Sequence, residues 1–323
     1  MRYKLPKGVL EYRICEGPDT EKYIVIDSGK DLDKILNIPS YINDIPVKVI
    51  GVSAFEKNDI EKVVLPDTIT NIATYAFCNS PLKEIVLPDS LVEISAFAFQ
   101  NSGITNLKCG KNLTRIGSFA FNGCCNLTDI SFNDKLKCIE KGAFKGCASL
   151  KSFITPDSLR VLGNEMLDSC TSLEHIHLGK SVFDINVDAY TDFAFIADNL
   201  KTITVSENNG KFVVIDNVLY DKNKGMLLKT CPKSPITSIT VPKWVNSAAF
   251  LSLGRLGCVK SIKFKNDFMR NISESGIENQ PDLLVRCVPN SELEDWCRNV
   301  GFKCAKRAKI NDFIDGLNTN IEK

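Results

Sequence analysis

The chain has 323 residues, and its hydrophobic fraction of 44% is enough for an extended core. Its 40 basic and 39 acidic side chains nearly cancel, so no charge excess points to nucleic acid or an anionic membrane as partner. The thirteen cysteines are odd in number, several recur at one position and none forms a C-x-x-C pair, which favours buried thiols over a disulfide framework, a zinc ribbon or a thioredoxin-like motif.

Met1 to Leu10 carries Arg2, Lys4 and Lys7 without the apolar run of a secretory signal. No stretch approaches the roughly 20 apolar residues of a membrane span, so the expected location of the chain as written is the cytoplasm. Residues 1–46 alternate in short runs, YRI, KYIVID and the beginning of ILNIPSYINDIPVKVIG, and are expected to form a β-rich N-terminal cap.

From 47 to 205 the sequence repeats. VKVIGVSAFEKNDIEKVVLPDT (47–68) is followed by ITNIATYAFCNSPLKEIVLPDS (69–90), LVEISAFAFQNSGITNLKCGKN (91–112), LTRIGSFAFNGCCNLTDISFNDK (113–135), LKCIEKGAFKGCASLKSFITPDS (136–158) and LRVLGNEMLDSCTSLEHIHLGKS (159–181). A period of 22 or 23 residues lies in the leucine-rich-repeat range. Each unit carries an opening Leu or Ile, an Ile three on, an Ala-Phe pair and a later L-x-x-I-x-L; in one unit these are Leu113, Ile116, Ala120, Phe121, Leu127, Ile130 and Phe132. One unit cannot hide seven such groups, so stacking on neighbours must bury them, at about 1.5–3 kcal/mol for each large side chain.

The L-x-x-I-x-L segment alternates as a strand does. In three units it ends in Pro-Asp-Thr or Pro-Asp-Ser (66–68, 88–90, 156–158), where proline stops the ladder and Asp and Ser favour a turn. Successive strands are predicted to form a parallel sheet with the Ala-Phe arc opposite. Cys124, Cys147 and Cys170, with Ser80 and Ser102 at the matching point, are predicted to stack as an interior column of small fillers.

Unit 182–205 retains Val182, Ile185, Leu200, Ile203 and Val205 around an insertion. Its Asp184, Asp188, Asp192 and Asp198 lack the spacing and glycine of a calcium loop and read as a solvated loop. Residues 206–234 abandon the repeat for a β-meander, with Asp216-Asn217 as a two-residue hairpin turn. A degenerate repeat occupies 235–265, with Ile236, Ile239, Val241, Ala249, Phe250, Ile262 and Phe264 as its apolar positions. In the cap and tail, 266–323, Ser291 and Glu294 form a capping-box signature. Leu293, Trp296, Cys297 and Val300 follow at helical spacing, with Gly301 placed to stop the helix, which is expected to seal the end of the core; residues from about 308 to 323 are polar and suited to a frayed tail or a loose helix.

The recurrent I-x-x-x-A-F-x-x-C-x-x-L-x-x-I-x-L-P-D-S units, the NIPSYINDIPVKVIGVSAF lead-in, the NGKFVVIDNVLYDKNKGMLL interruption and the PNSELEDWCRNVGFKC terminus resemble the BspA-like, Treponema-type leucine-rich-repeat family. The resemblance spans about residues 10–305. The chain departs from it in the 182–205 insertion, the shortened 241–250 arc and the LGK or CGK ends. It implies an α/β-repeat solenoid, mostly β and irregular coil, with a parallel sheet on the strand face and a short helical C-terminal cap. It also implies a non-enzymatic protein binder, often adhesive and on the cell surface of host-associated bacteria and some protozoa. An intracellular scaffold or regulator is the alternative.

Outward positions on the sheet form two columns that packing does not dictate: Lys62, Glu84, Asn106, Asp129, Ser152, His175 and Thr202 in one, and Val64, Val86, Lys108, Ser131, Ile154, His177 and Thr204 in the other. Side chains pre-positioned on a rigid sheet lose little entropy on binding, so these columns are the candidate face for a protein ligand. An ordinary solvated sheet surface is the competing reading. His175 and His177 could share a metal only with further ligands, and no metal or cofactor is expected. The repeat cysteines belong inside the far arc, away from both histidines, which disfavours a Cys-His dyad. With no P-loop or G-x-G-x-x-G motif either, the expectation is a non-enzyme and a monomer.

Overall fold

The computed structural model describes residues 1–185, 198–249, 251–280 and 282–304. The expectations concerning Asp188, Asp192, Phe250 and the tail from 308 fall outside them.

Each repeat makes one coil of a solenoid, and equivalent residues of successive coils stack. The L-x-x-I-x-L segments are the strands Lys62–Val64, Glu84–Val86, Asn106–Lys108, Asp129–Ser131, Ser152–Ile154, His175–Leu178 and Thr202–Val205. All ladder pairs among them are parallel and in repeat register, for example Val63 opposite Ile85 and Ile176 opposite Ile203. The face is not one unbroken ladder: pairing lapses between Glu84–Val86 and Asn106–Lys108 and again between Asp129–Ser131 and Ser152–Ile154, leaving three ladders side by side.

A second parallel ladder was not foreseen in the sequence. The opening Leu-x-x-Ile of each unit contributes a two-residue strand: Asn71–Ile72, Glu93–Ile94, Arg115–Ile116, Cys138–Ile139 and Val161–Leu162. So short a strand persists because the coils on either side supply its hydrogen-bond partners and extend the pattern beyond it, as where Thr114 N donates to Val92 O at 2.9 Å and Gly117 N to Ile94 O at 2.8 Å. This ladder runs without a break into the N-terminal strands. Arg2–Lys4, Val9–Glu16 and Lys22–Lys30 pair antiparallel, Lys22–Lys30 then pairs parallel with Ile45–Ile50, and with Tyr41–Ile42 paired antiparallel to Ile45–Ile50 the whole forms a ten-stranded sheet.

The Ala-Phe arc closes the coil with its own column of backbone bonds. Phe77 N donates to Ala98 O at 2.7 Å, and Phe99 N to Ala120 O and Phe121 N to Ala143 O at 2.8 Å. Alanine is fully buried at this point in four successive units, from Ala76 to Ala143. Phe55, Phe77, Phe99, Phe121 and Phe144 stack through the interior with centroids 5.1–5.3 Å apart, inside the favourable range for aromatic pairs. The residue before each Ala has a left-handed backbone: Tyr75, Phe97 and Phe119 at φ 58°, 58° and 57°, and Gly142 at φ 61°. Those three rings make a second, half-buried stack at 4.9 and 5.2 Å.

The Cys124, Cys147 and Cys170 column is interior as expected. Each thiol donates to the carbonyl of an arc phenylalanine in the preceding coil, Phe99, Phe121 and Phe144, at 3.2, 3.4 and 3.2 Å. Ser102 Oγ lies 3.3 Å from Cys124 Sγ, and Ser80 Oγ donates to Phe77 O at 2.8 Å. Burial pushes the thiols of Cys124 and Cys170 up to about 12.

The meander forms as Phe212–Ile215, Val218–Asp221 and Met226–Thr230, antiparallel, with Asp216 and Asn217 in the turn at φ 50° and 56°, the signs a type I′ hairpin requires. Its last strand pairs parallel with Ser247–Ala248, which returns the chain to the coil. Ser238–Val241, Ser261–Phe264, Leu284–Arg286 and Lys303–Cys304 form a final parallel ladder, so the chain beyond Asn266 adds rungs as well as a helix.

That helix is Glu292–Val300. Ser291 Oγ accepts from Glu294 N at 3.1 Å, while Glu294 Oε2 accepts from Asn290 N at 2.7 Å; the carboxylate reaches one residue further back than in an ordinary capping box. Gly301, at φ 92°, ends it. Leu293 and Cys297 are buried and Trp296 packs against the core from its edge, whereas Val300 is 45% exposed. The helix therefore seals with a narrower face than its apolar spacing offers, Leu293, Trp296 and Cys297 without Val300.

Candidate functional site

The outward columns lie where strand alternation puts them. Between Lys62 and Val64 the side chain of Val63 is buried, and Ile85, Leu107, Phe153, Ile176 and Ile203 are buried likewise in their strands. Glu84, Asn106, Lys108, Asp129, Ser131, Ser152, His175 and Thr204 are exposed, and Lys62, His177 and Thr202 half-buried. Register aligns Lys62 with Glu84, Val64 with Val86, Asn106 with Asp129, Lys108 with Ser131, and Ser152 and Ile154 with His175 and His177.

The N-terminal third of this face is mixed apolar and charged. Val64 is 42%, Val86 70% and Ile154, further along, 62% exposed. Lys62 Nζ pairs with Glu84 Oε2 at 2.7 Å, and Lys83 Nζ with Glu61 at 3.0 Å. The strand Ile35–Asn37 extends both columns by one position, with Ile35 beside Lys62 and Asn37 beside Val64, and Ile35 is 56% exposed. Ile35 and Asn37 were missed in the sequence because they precede the first recognisable unit; the alternation in Ile35-Leu36-Asn37 was the available signal.

The other end is polar and cross-linked. Nδ1 of His175 shares a hydrogen bond with Thr202 Oγ1 at 2.7 Å and Nδ1 of His177 with Thr204 Oγ1 at 2.9 Å. Nε2 of His177 lies 3.2 Å from Ser206 Oγ, which donates to Asp157 Oδ1 at 3.3 Å. Ser206 is the next alternate position after Thr204, one step beyond the two columns named from the sequence. Nε2 of His175 stands 3.7 Å from Glu174 Oε2, and Lys201 holds the same carboxylate at 2.8 Å. The Lys201 hydrogen bond outweighs desolvation and keeps the Glu174 carboxyl below its ordinary range. A hydrogen bond from Lys180 N does the same for Asp157, against desolvation. The two imidazoles are thus engaged by hydroxyls, and among the described residues no group of three His, Cys, Asp or Glu side chains stands together as metal ligands. Among those residues, too, no helix is long and apolar enough to cross a membrane.

Comparison of the sequence with curated proteins gave no match. Among solved structures, the pneumococcal vaccine antigen PcpA superposes with a TM-score of 0.60 at 19% identity, over 90% of this chain and 71% of that one. A leucine rich cell surface protein from Faecalibacterium prausnitzii A2-165 gives 0.54 at 22% identity, over 82% and 70%. Both share the fold. The family model for the BspA type leucine rich repeat region, present in six copies, matches residues 48–174 and 92–223. With more than half of its length matched and its coils stacked in the register the repeats require, the chain belongs to the BspA-type leucine-rich-repeat family.

Proposed function

We propose that this chain is a non-enzymatic protein-binding solenoid whose ligand docks on the outward face of the strand ladders, with an adhesive role at a cell surface as the finer reading. The observation that carries the proposal is the juxtaposition of exposed branched side chains, Ile35, Val64 and Val86, with the Lys62–Glu84 ion pair on backbone held by neighbouring coils. Solvated sheet faces favour polar residues, whereas protein interfaces combine an apolar centre with a polar rim. The adhesive reading draws on the resemblance stated above and on the cell surface protein among the structural relatives.

The test places a photoreactive amino acid at Val86 or at Ile154 in cells that produce the chain, with Val92 as control. Val92 is an exposed valine beside the second ladder. Protein adducts are expected from the two face positions and not from Val92, and simultaneous charge reversal of Glu84, Lys108 and Asp129 should remove them while the fold persists. Equal adducts from Val92, or adducts undiminished by the triple reversal, would remove this face as the binding site.

A further inference from the structure

Twelve cysteines have described side chains, and one pair differs from the rest. Cys287 follows the strand Leu284–Arg286, Cys297 lies on the buried side of the helix Glu292–Val300, and their sulfurs stand 3.6 Å apart. Cys297 is fully buried, while Cys287 is half-buried. A disulfide requires the sulfurs to close to about 2.05 Å, an approach within reach of side-chain rotation and a small shift of the helix. We propose that Cys287 and Cys297 are a thiol pair that closes reversibly into a disulfide, fastening the C-terminal helix to the strand beneath it when the chain meets a low-molecular-weight disulfide of the glutathione class.

Each thiol has a distinct role. A hydrogen bond from Cys297 holds the Cys287 thiol below its ordinary range despite partial burial, and a thiolate is the attacking species in disulfide exchange. The Cys287 thiolate attacks one sulfur of the small disulfide; that S–S bond breaks, one small thiolate leaves, and a mixed disulfide remains on Cys287. Cys297 then loses its proton to the departing thiolate, and its sulfur attacks Sγ of Cys287. The second small thiolate leaves and takes a proton from solvent. Two protein thiols are oxidised and one small disulfide is reduced to two thiols. The repeat cysteines lack this arrangement: Cys124, Cys147 and Cys170 each turn to a backbone carbonyl, and burial pushes Cys109, Cys124, Cys170 and Cys231 up to about 12.

The sequence supplies a direct assay, since Arg286 and Arg298 flank both cysteines with no Lys or Arg between them. The full chain is equilibrated in glutathione buffers of graded redox poise, quenched with acid, alkylated and digested with trypsin. Peptide 287–298 should pass from a doubly alkylated form under reducing conditions to an unalkylated form lighter by two hydrogens under oxidising ones, and back again on reduction. Cys297→Ser should instead trap glutathione on Cys287. Peptide 287–298 remaining doubly alkylated at every poise, stopping at a mixed disulfide in the unaltered chain, or joining Cys287 to Cys304 or to a second chain would each overturn the proposal. The unaltered chain decides the matter even if the variant misfolds.

Discussion

The ring of Phe119 fills the space in which a β-carbon on Gly142, one coil further on, would sit. Gly142 also has φ 61°, so glycine answers both a steric and a conformational demand. Gly142→Ala is expected to cost about 1 kcal/mol for the backbone alone and roughly 2–4 kcal/mol once the ring is displaced. Gly146, at φ 72°, has its nearest would-be contacts at 3.5 Å, so Gly146→Ala should show the backbone cost without the ring. Urea unfolding of the two variants measures the difference; equal losses would mean that Phe119 is not seated over Gly142.

Phe121→Ala should lower stability by about 3–5 kcal/mol. Its ring lies between Phe99 and Phe144, nearly parallel to both, and is fully buried. A loss below about 1 kcal/mol in denaturant melts would contradict an interior stack held by neighbouring coils.

Glu140 joins two coils, accepting from Arg115 Nε and Ser118 N at 3.0 Å and from Ser118 Oγ at 2.9 Å. Desolvation raises its pKa, but these hydrogen bonds and the Arg115 charge outweigh it and leave the carboxyl below its ordinary range. A lowered folded-state pKa gives stability that is complete above the unfolded value and lost as pH falls through the folded one. Glu140→Gln should therefore cost about 1 kcal/mol at neutral pH, solvent screening included. The gap from the unaltered chain should narrow below roughly pH 4. Melts at graded pH show whether the gap closes with acid; a gap independent of pH would assign the effect to shape rather than charge.

Thiol labelling of the native chain should separate the cysteines by burial. Cys125 and Cys258 are exposed and should alkylate first at mildly alkaline pH, while Cys109, Cys124, Cys170 and Cys231, pushed up to about 12, should react only on unfolding. Peptide mapping before and after denaturation gives the order, and early labelling of Cys124 or Cys170 would place the column outside the core.

The period, the phenylalanine interior and the helical terminus were legible because each leaves a spaced apolar signal: Phe99, Phe121 and Phe144 announce one another by interval alone. Apolar spacing places Ile94 and Ile116 in the core but reveals no ladder, since two residues are too few for alternation to declare a strand; the pairing exists only once neighbouring coils supply partners. The outward columns followed from alternation about Val63 and Ile176. Their limits did not, because Ile35 precedes the first recognisable unit and Ser206 belongs to a segment where the repeat has lapsed. Helical spacing groups Val300 with Leu293 and Cys297, but spacing alone does not tell which end of an apolar stripe meets the core, and Val300 is 45% exposed.

The second ladder also bears on how such a chain can change length. Ile94, Ile116 and Ile139 are successive partners in identical register, so excising residues 113–135 would bring Ile94 against Ile139 as an equivalent neighbour, and duplicating them would insert one more step of the same kind. Lineages could thus shorten or lengthen the molecule by whole units without redesigning either terminus, and a one-residue difference in unit length is absorbed within the coil, since the 22-residue step from Ile94 to Ile116 and the 23-residue step from Ile116 to Ile139 keep the same partners aligned.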